Sequence, residues 1–398
     1  MRIHWLTSPK SIGKIGYDFL YPIYRTQQQL RSLGFDNGFF YGTDQPDRLL
    51  DCDLLAVHSH SYRYHQNDPE AIDKLKGLMQ RAKRCWFFDV TDSAGTFYPD
   101  FRELCQVYLK KQLYADRTQY TLPGQLDSRQ HLDYYIKRDR LENQNLDFSH
   151  LPQAFFDRVR LSWNVGVGDY RTILSPSHFL NDYAQRLQTG WLRERSLPGM
   201  KNRYTFPPFR TRDRDVIACY SGYQKRNAPI ATHRGESTQA AESLRGHRRI
   251  VSGFLKPAVY FAALDQVRCG LSPFGWGEIT YKDLEMFQRG IALLKPDISF
   301  LDSWPDYFIP RQTYLPYRWD AADLPELLER VLEDPPLLEG IAREGQERLR
   351  AFDVCHAPGV FLDRFRDIFS APDTPDPAPP EKKLREFPGD YGKKRGQD

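Results

Sequence analysis

Short apolar runs alternate with helix-like stretches along most of this chain, and no other feature restricts its fold so tightly. In the first half, strands are predicted at Arg2–Leu6, Gly38–Tyr41, Asp53–His58, Cys85–Val90 and Thr172–Leu174. Helical patterns cover Pro22–Leu33, Pro69–Arg81 and Phe101–Leu113 between them. In the second half, strands are predicted at Asp215–Tyr220, Arg249–Val251, Cys269–Pro273, Ala292–Lys295 and Thr313–Tyr317. Helices are predicted over Lys282–Arg289, Leu324–Leu332 and Pro336–Ala351. Such alternation makes parallel sheets with helices on their faces. A chain of 398 residues exceeds one ordinary core. The expected class is therefore α/β, with two doubly wound Rossmann-like domains in series. Residues 1–195 form the first domain and 213–350 the second. A linker at 196–212 lies where Ser196-Leu197-Pro198-Gly199 and Pro207-Pro208 break the pattern. A last helical stretch falls within 351–370. Residues 371–398 begin with five prolines between Ala371 and Pro380 and continue charged, which predicts a disordered tail.

Composition narrows the class further. Hydrophobic residues make up 40% of the chain and charged residues 27%, the balance of a globular protein. Apolar stretches such as Cys85-Trp86-Phe87-Phe88 fall far short of the roughly 20 residues that span a bilayer. Met1–Leu6 reads as a first strand and lacks the apolar core of a signal peptide. The 56 basic and 52 acidic residues leave a net charge of only +4, and the central arginines alternate with acids. Nucleic acid is therefore not an expected partner. Six cysteines form no paired or finger spacing and mostly sit in apolar runs, which predicts buried thiols in a reducing cytoplasm. The tail carries Lys382-Lys383 and Lys393-Lys394-Arg395. These leave weak peripheral contact with the inner membrane face open, although six acids balance six bases over Ala371–Asp398. Aromatic residues, at 14%, suit core packing first and flat polar ligands second.

The chemistry gathers at strand ends, because ligands of doubly wound sheets lie beyond the carboxyl ends of strands, often on helix N-termini. Ser272 and Pro273 end one strand, and Gly275 and Gly277 permit a tight turn whose amides approach a phosphate. Glu278 follows, and a helix then brings Lys282 toward a diphosphate. One turn on, Glu285 has the acceptor geometry for both hydroxyls of a ribose. Lys225, Arg226 and Arg234, after another strand, form a second basic element. Asp51-Cys52-Asp53 has the letters of a metal-binding pair but precedes its apolar run. His58-Ser59-His60 lacks a third ligand at a zinc-like spacing. Lys10–Gly16 is not a P-loop; Gly13 and Gly16 instead permit close acceptor approach in the first strand-to-helix loop.

The string SPFGWGE-x3-K-x2-E-x4-G-x2-L-x-K-P-D, which starts at Ser272, is followed by Pro316-Tyr317-Arg318-Trp319-Asp320. Together they resemble the donor-binding half of GT-B glycosyltransferases. The spacing Thr280-x-Lys282-x2-Glu285-x4-Gly290 is similar to exostosin-like enzymes and to bacterial group-1 transferases of polysaccharide and lipopolysaccharide assembly. Weaker likeness runs through Phe88–Ser93, Tyr108–Gln112 and Trp163–Tyr170. The resemblance implies a nucleotide-sugar donor, a cleft between the two domains, and a final helix that crosses back to the first domain, a role open to Pro358–Phe369. It also implies that Lys225, Arg226, Arg234 or Lys282 neutralises the leaving nucleotide, so no metal is expected. The chain departs from the group-1 pattern because Gly277 stands where that family has its first glutamate. Lys282 replaces an arginine, which keeps the charge and loses the bidentate fork.

Glycosyl transfer with inversion needs a base for the acceptor proton. Asp92, just beyond a bulky strand, is the favoured candidate and His60 the second, while Asp89 caps a neighbouring turn on the acceptor side. The resulting expectation is a cytoplasmic glycosyltransferase that moves a sugar from a nucleotide-diphosphate donor to a glycan or lipid-linked acceptor, without a cofactor. A catalytically silent nucleotide- or sugar-binding protein on the same scaffold is the alternative.

Overall fold

The computed structural model describes residues 1–8, 14–63, 67–121, 124–141, 152–168, 206–207, 214–219 and 228–373. Its strands are β1 (Arg2–Leu6), β2 (Asp36–Phe40), β3 (Leu54–His58), β4 (Cys85–Asp89), β5 (Val107–Lys110), β6 (Gln112–Tyr114) and β7 (Val159–Leu161). They continue as β8 (Arg214–Cys219), β9 (Ile250–Gly253), β10 (Val267–Leu271), β11 (Ala292–Pro296), β12 (Leu301–Ser303) and β13 (Tyr314–Tyr317). The helices of the first half are α1 (Lys14–Ser32), α2 (Pro46–Leu50), α3 (His60–Arg63), α4 (Pro69–Arg81), α5 (Gln130–Asp139) and α6 (Gln153–Phe156). Those of the second are α7 (Ala228–Glu242), α8 (Pro257–Leu264), α9 (Tyr281–Arg289), α10 (Leu324–Leu332), α11 (Pro335–Phe352) and α12 (Pro358–Ser370).

Two parallel sheets result. The first runs β2-β1-β3-β4-β5-β7 and the second β13-β11-β10-β8-β9. Both are doubly wound, as the alternation of the sequence predicts. Strand order reverses between β1 and β3 in one sheet and between β8 and β10 in the other, the places where such folds open a ligand crevice. Alternate residues serve opposite faces. Trp86 and Phe88 join one core of the first sheet, and Cys85 and Phe87 join the other. In the second sheet, Ala292 and Leu294 face one core and Leu293 the other.

Local signals set the helix ends. Asp68 accepts from the Ala71 N–H at 3.1 Å and Pro69 opens α4. Asp334 caps α11 in the same way through Leu337, ahead of Pro335. Gly290, at φ +60°, terminates α9 in the left-handed conformation.

One predicted helix is wrong. Phe101–Leu113 is a short 3-10 turn at Pro99–Phe101 followed by β5 and β6. All four residues of β5 are buried, so both faces are covered and no alternation marks it as a strand. Strands β7 and β12 were likewise not anticipated. Thr172–Leu174 and nearly all of the predicted linker lie outside the described residues, as do residues 374–398.

The two sheets meet through three structures. Strand β6 pairs antiparallel with β12, so a first-half strand and a second-half strand form one ribbon. Helix α5 packs on α7, where Arg138 and Glu236 approach to 2.5 Å. Finally, α12 leaves the second unit and enters the first core, where Phe361, Phe365 and Phe369 lie with Trp5, Phe88 and Trp163. Among the described residues, no helix is long and apolar enough to cross a membrane.

Candidate functional site

The loop from Ser272 to Thr280, after β10, stands at the switch point of the second sheet. Its ends are joined by the Ser272 and Thr280 hydroxyls, 3.1 Å apart, and its tip is closed by a bond from the Gly275 N–H to the Gly277 carbonyl at 3.1 Å. Thr280 then starts α9 in a reciprocal capping box, with its N–H donating to Asp283 at 2.8 Å. Behind the helix start, Lys295 and Asp283 form a fully buried pair at 3.0 Å, which ties β11 to α9. Burial pulls the Lys295 ammonium below its ordinary range, against the opposing pull of Asp283. The helix is thereby fixed at a set angle to the sheet.

Lys282 lies half-buried in the first turn of α9, and Glu285 lies three residues on, along the same side. Glu285 is 7% exposed and accepts from the Tyr260 hydroxyl at 3.1 Å. Tyr281, beside them, has its phenol held protonated well above the usual range, first by burial and then by Asp18 of α1. Asp92 and Glu285 push in the same direction.

Three residues expected to face a phosphate or sugar are instead built into the seam between the two units. Glu278 is 0% exposed. Its carboxylate accepts from the Ser93 hydroxyl at 2.8 Å, the Ala94 N–H at 3.1 Å and the Gln112 amide at 2.8 Å, with His131 Nδ1 3.6 Å away. Burial alone would raise its pKa, yet His131, Ser93 and Ala94 together hold it below the ordinary value. Gly277 is required because a Cβ there would sit 1.9 Å from the Asp92 carbonyl oxygen. At Gly275 a Cβ would come within 2.9 Å of the Arg234 guanidinium. Arg234 itself donates from Nε to the Phe274 carbonyl at 2.9 Å and so braces the turn. The physical reason for the correction is proximity: the first unit approaches this loop so closely that side-chain-free backbone and a buried acceptor serve the contact.

In the first unit, at the end of β4, the two aspartates separate in role. Asp89 is fully buried and accepts from Tyr108 at 2.7 Å, Lys110 at 3.0 Å and the Thr91 N–H at 2.8 Å. It caps the turn, as the sequence suggests, and is closed to ligands. The Asp92 side chain keeps 33% of its exposure, and the nearest cation is Lys111 Nζ at 3.8 Å. His58 and His60 stand edge to face, 4.9 Å apart, both buried. Burial holds His58 neutral, well below the ordinary histidine range. Gly16 is buried in α1, and Gly13, Lys225 and Arg226 lie outside the described residues.

Several residues of the seam carry no motif that marks them. His233 accepts from the Phe274 N–H at 2.9 Å through Nε2, which leaves its proton on Nδ1, 2.8 Å from the Tyr135 oxygen. His131 Nε2 meets the Gly275 carbonyl at 3.2 Å. Their one sequence signal is the four-residue spacing of His131 and Tyr135, which puts both on one face of α5. Among the described residues, no group of three or more His, Cys, Asp or Glu is arranged to hold a metal ion.

No protein-family model matches the chain, and no curated protein does. Solved structures align over most of its length. An alpha-glucosyltransferase in complex with UDP-glucose and DNA containing an abasic site shares 10% identity, with 93% of this chain and 100% of that one covered at a TM-score of 0.42. Anabaena Alr3699/HepE, in complex with UDP and glucose, shares 11% with the same coverage at 0.41. UDP-GlcNAc 2-epimerase from Neisseria meningitidis, bound to UDP-GlcNAc, shares 9% with the same coverage at 0.39. At identities and TM-scores this low, no ligand or activity passes from these proteins to this chain.

Proposed function

We propose that this chain is a glycosyltransferase that moves a sugar from a nucleotide-diphosphate donor to a hydroxyl of a glycan or lipid-linked acceptor. The observation that carries the reading is that Lys282 and Glu285 share one side of the first turns of α9, while the part-exposed carboxylate of Asp92 comes from the first unit close enough to act on Tyr281 of that helix. In this reading Glu285 takes the ribose hydroxyls, with Tyr260 orienting its carboxylate. Lys282 meets the diphosphate and Arg234 supports the turn beside it. As the acceptor oxygen attacks the sugar C1, Asp92 takes its proton, and the bond from C1 to the diphosphate breaks with its electrons leaving on the nucleotide. The resemblance of Thr280–Gly290 to group-1 transferases supports an acceptor in cell-surface polysaccharide or lipopolysaccharide assembly.

A silent binding protein is the second reading. It is favoured by Gly277 at the position of the family's first glutamate and by Glu278 being fully occupied in the seam. Thermal shift of the wild type and Glu285→Ala against UDP, GDP, CMP and their sugar conjugates tests the donor site. A ligand at a hundred times its dissociation constant stabilises by about 2.7 kcal/mol. One nucleotide should stabilise the wild type and not the variant; no shift with any of them would remove the donor assignment. Release of free nucleotide from the matched sugar conjugate then separates the transferase from the silent scaffold.

A further inference from the structure

Three lysines are buried in the described structure, and they are not alike. Lys110 donates to Asp89 at 3.0 Å, the Thr91 hydroxyl at 2.9 Å and the Thr96 carbonyl at 2.5 Å. Lys295 donates to Asp283 at 3.1 Å and to the Ser272 carbonyl at 3.3 Å. Lys111 is just as deeply placed, 2% exposed, yet its nearest charged neighbour is Asp92 at 3.8 Å, beyond hydrogen-bond reach. An ammonium in this position must be compensated or give up its proton. The compensation comes from a carboxylate that keeps a third of its surface exposed.

Asp92 is held from two directions. Its backbone carbonyl accepts from Gln112 at 2.8 Å and abuts Gly277 of the other unit, so the main chain cannot drift. Its carboxylate, in contrast with that of Asp89, makes no side-chain hydrogen bond among the described residues and is approached by Lys111 at 3.8 Å. A cation at that distance sets the direction of the carboxylate while leaving its oxygens open to a hydroxyl. We propose that Lys111 is a positioning residue, which directs the part-exposed carboxylate of Asp92 so that it can accept the proton of the acceptor hydroxyl. The proposal rests on the glycosyltransferase reading.

Other charges around the pair are accounted for. Lys110 and Asp89 neutralise one another beside it. Glu278 faces it from the second unit with its oxygens occupied by Ser93, Ala94 and Gln112. From α9, the Tyr281 phenol stays neutral among Asp18, Asp92 and Glu285. Burial lowers the pKa of Lys111 and Asp92 raises it again.

The test uses the full chain with Lys111→Met, which preserves length and burial, and Lys111→Arg, which preserves charge. Carboxyl carbon NMR, with Asp92→Asn for assignment, follows the titration of Asp92 in each. The pH profile of kcat/KM for transfer, with the donor identified by thermal shift, follows the role. Lys111→Met should move the Asp92 midpoint and the acid limb of the profile upward together by about one pH unit. This means a roughly tenfold loss at low pH that is recovered at high pH. Lys111→Arg should retain both. An unmoved Asp92 midpoint in folded Lys111→Met overturns the ion pair. A moved midpoint with an unmoved acid limb, or with an equal loss at every pH, overturns its role in transfer while the pair stands. Binding of the donor without turnover at any pH in the wild type overturns the glycosyltransferase reading, and with it the role of Lys111, whatever the NMR titration gives.

Discussion

Glu278→Ala should separate the two halves of the molecule more effectively than any other single truncation of a polar side chain. The change leaves the Ser93 hydroxyl, the Ala94 N–H and the Gln112 amide without their acceptor in a site with no water access. A net hydrogen bond to a charged group is worth about 1.5–3 kcal/mol, and truncating one partner of a buried charged network costs about 3–5 kcal/mol. Because these bonds are shared, the second figure is the expected loss. Urea unfolding followed by tryptophan fluorescence should show the midpoint fall accordingly, and small-angle scattering should show a larger radius before unfolding begins. Glu278 is held below the ordinary carboxylate pKa of 4.5 in the folded chain. Its contribution is therefore fully present above that value and is lost as pH falls through the lowered one. The gap between wild type and Glu278→Ala should stay constant from about pH 7 to pH 5 and shrink below that range. A variant within about 0.5 kcal/mol of the wild type at neutral pH, or a gap that widens on acidification, would refute the reasoning.

Two further outcomes follow from the packing. Gly277→Ala places a Cβ 1.9 Å from the Asp92 carbonyl, so melting should drop by the equivalent of about 1–3 kcal/mol and the donor response should weaken with it; an unchanged melting curve would sink the account of this glycine. Phe365→Ala opens the first core from a helix far away in sequence and should cost about 3–5 kcal/mol. Hydrogen exchange should then rise in β1 and β4, and exchange confined to α12 would show that the helix merely rests on that core.

Much of the architecture follows from local pattern. The alternation of apolar runs and helices fixes two doubly wound sheets, since a helix stripe and a buried strand each need a partner layer. Asp68-Pro69, Asp334-Pro335 and Thr280 through Asp283 mark helix starts from their own side chains, and Gly290 marks an end. The Lys282–Glu285 spacing reads directly as one helix face. Asp89 and Asp92, in contrast, sit three residues apart at the end of the same strand, and the sequence favours Asp92 as the base and Asp89 as a turn cap without naming what holds either. The structure shows that Tyr108, Lys110 and Thr91 close the first and that Lys111 approaches the carboxylate of the second at 3.8 Å. Strand β5 hides its identity because burial on both faces erases the period of two. The β6–β12 ribbon joins residues nearly two hundred positions apart, and no local propensity encodes such a pairing. Glu278, Gly275 and Gly277 read in sequence as a phosphate turn because glycine and carboxylate serve a ligand and a tight domain contact by the same physics. Sequence determines which residues can approach closely or carry charge; the tertiary structure decides what they approach.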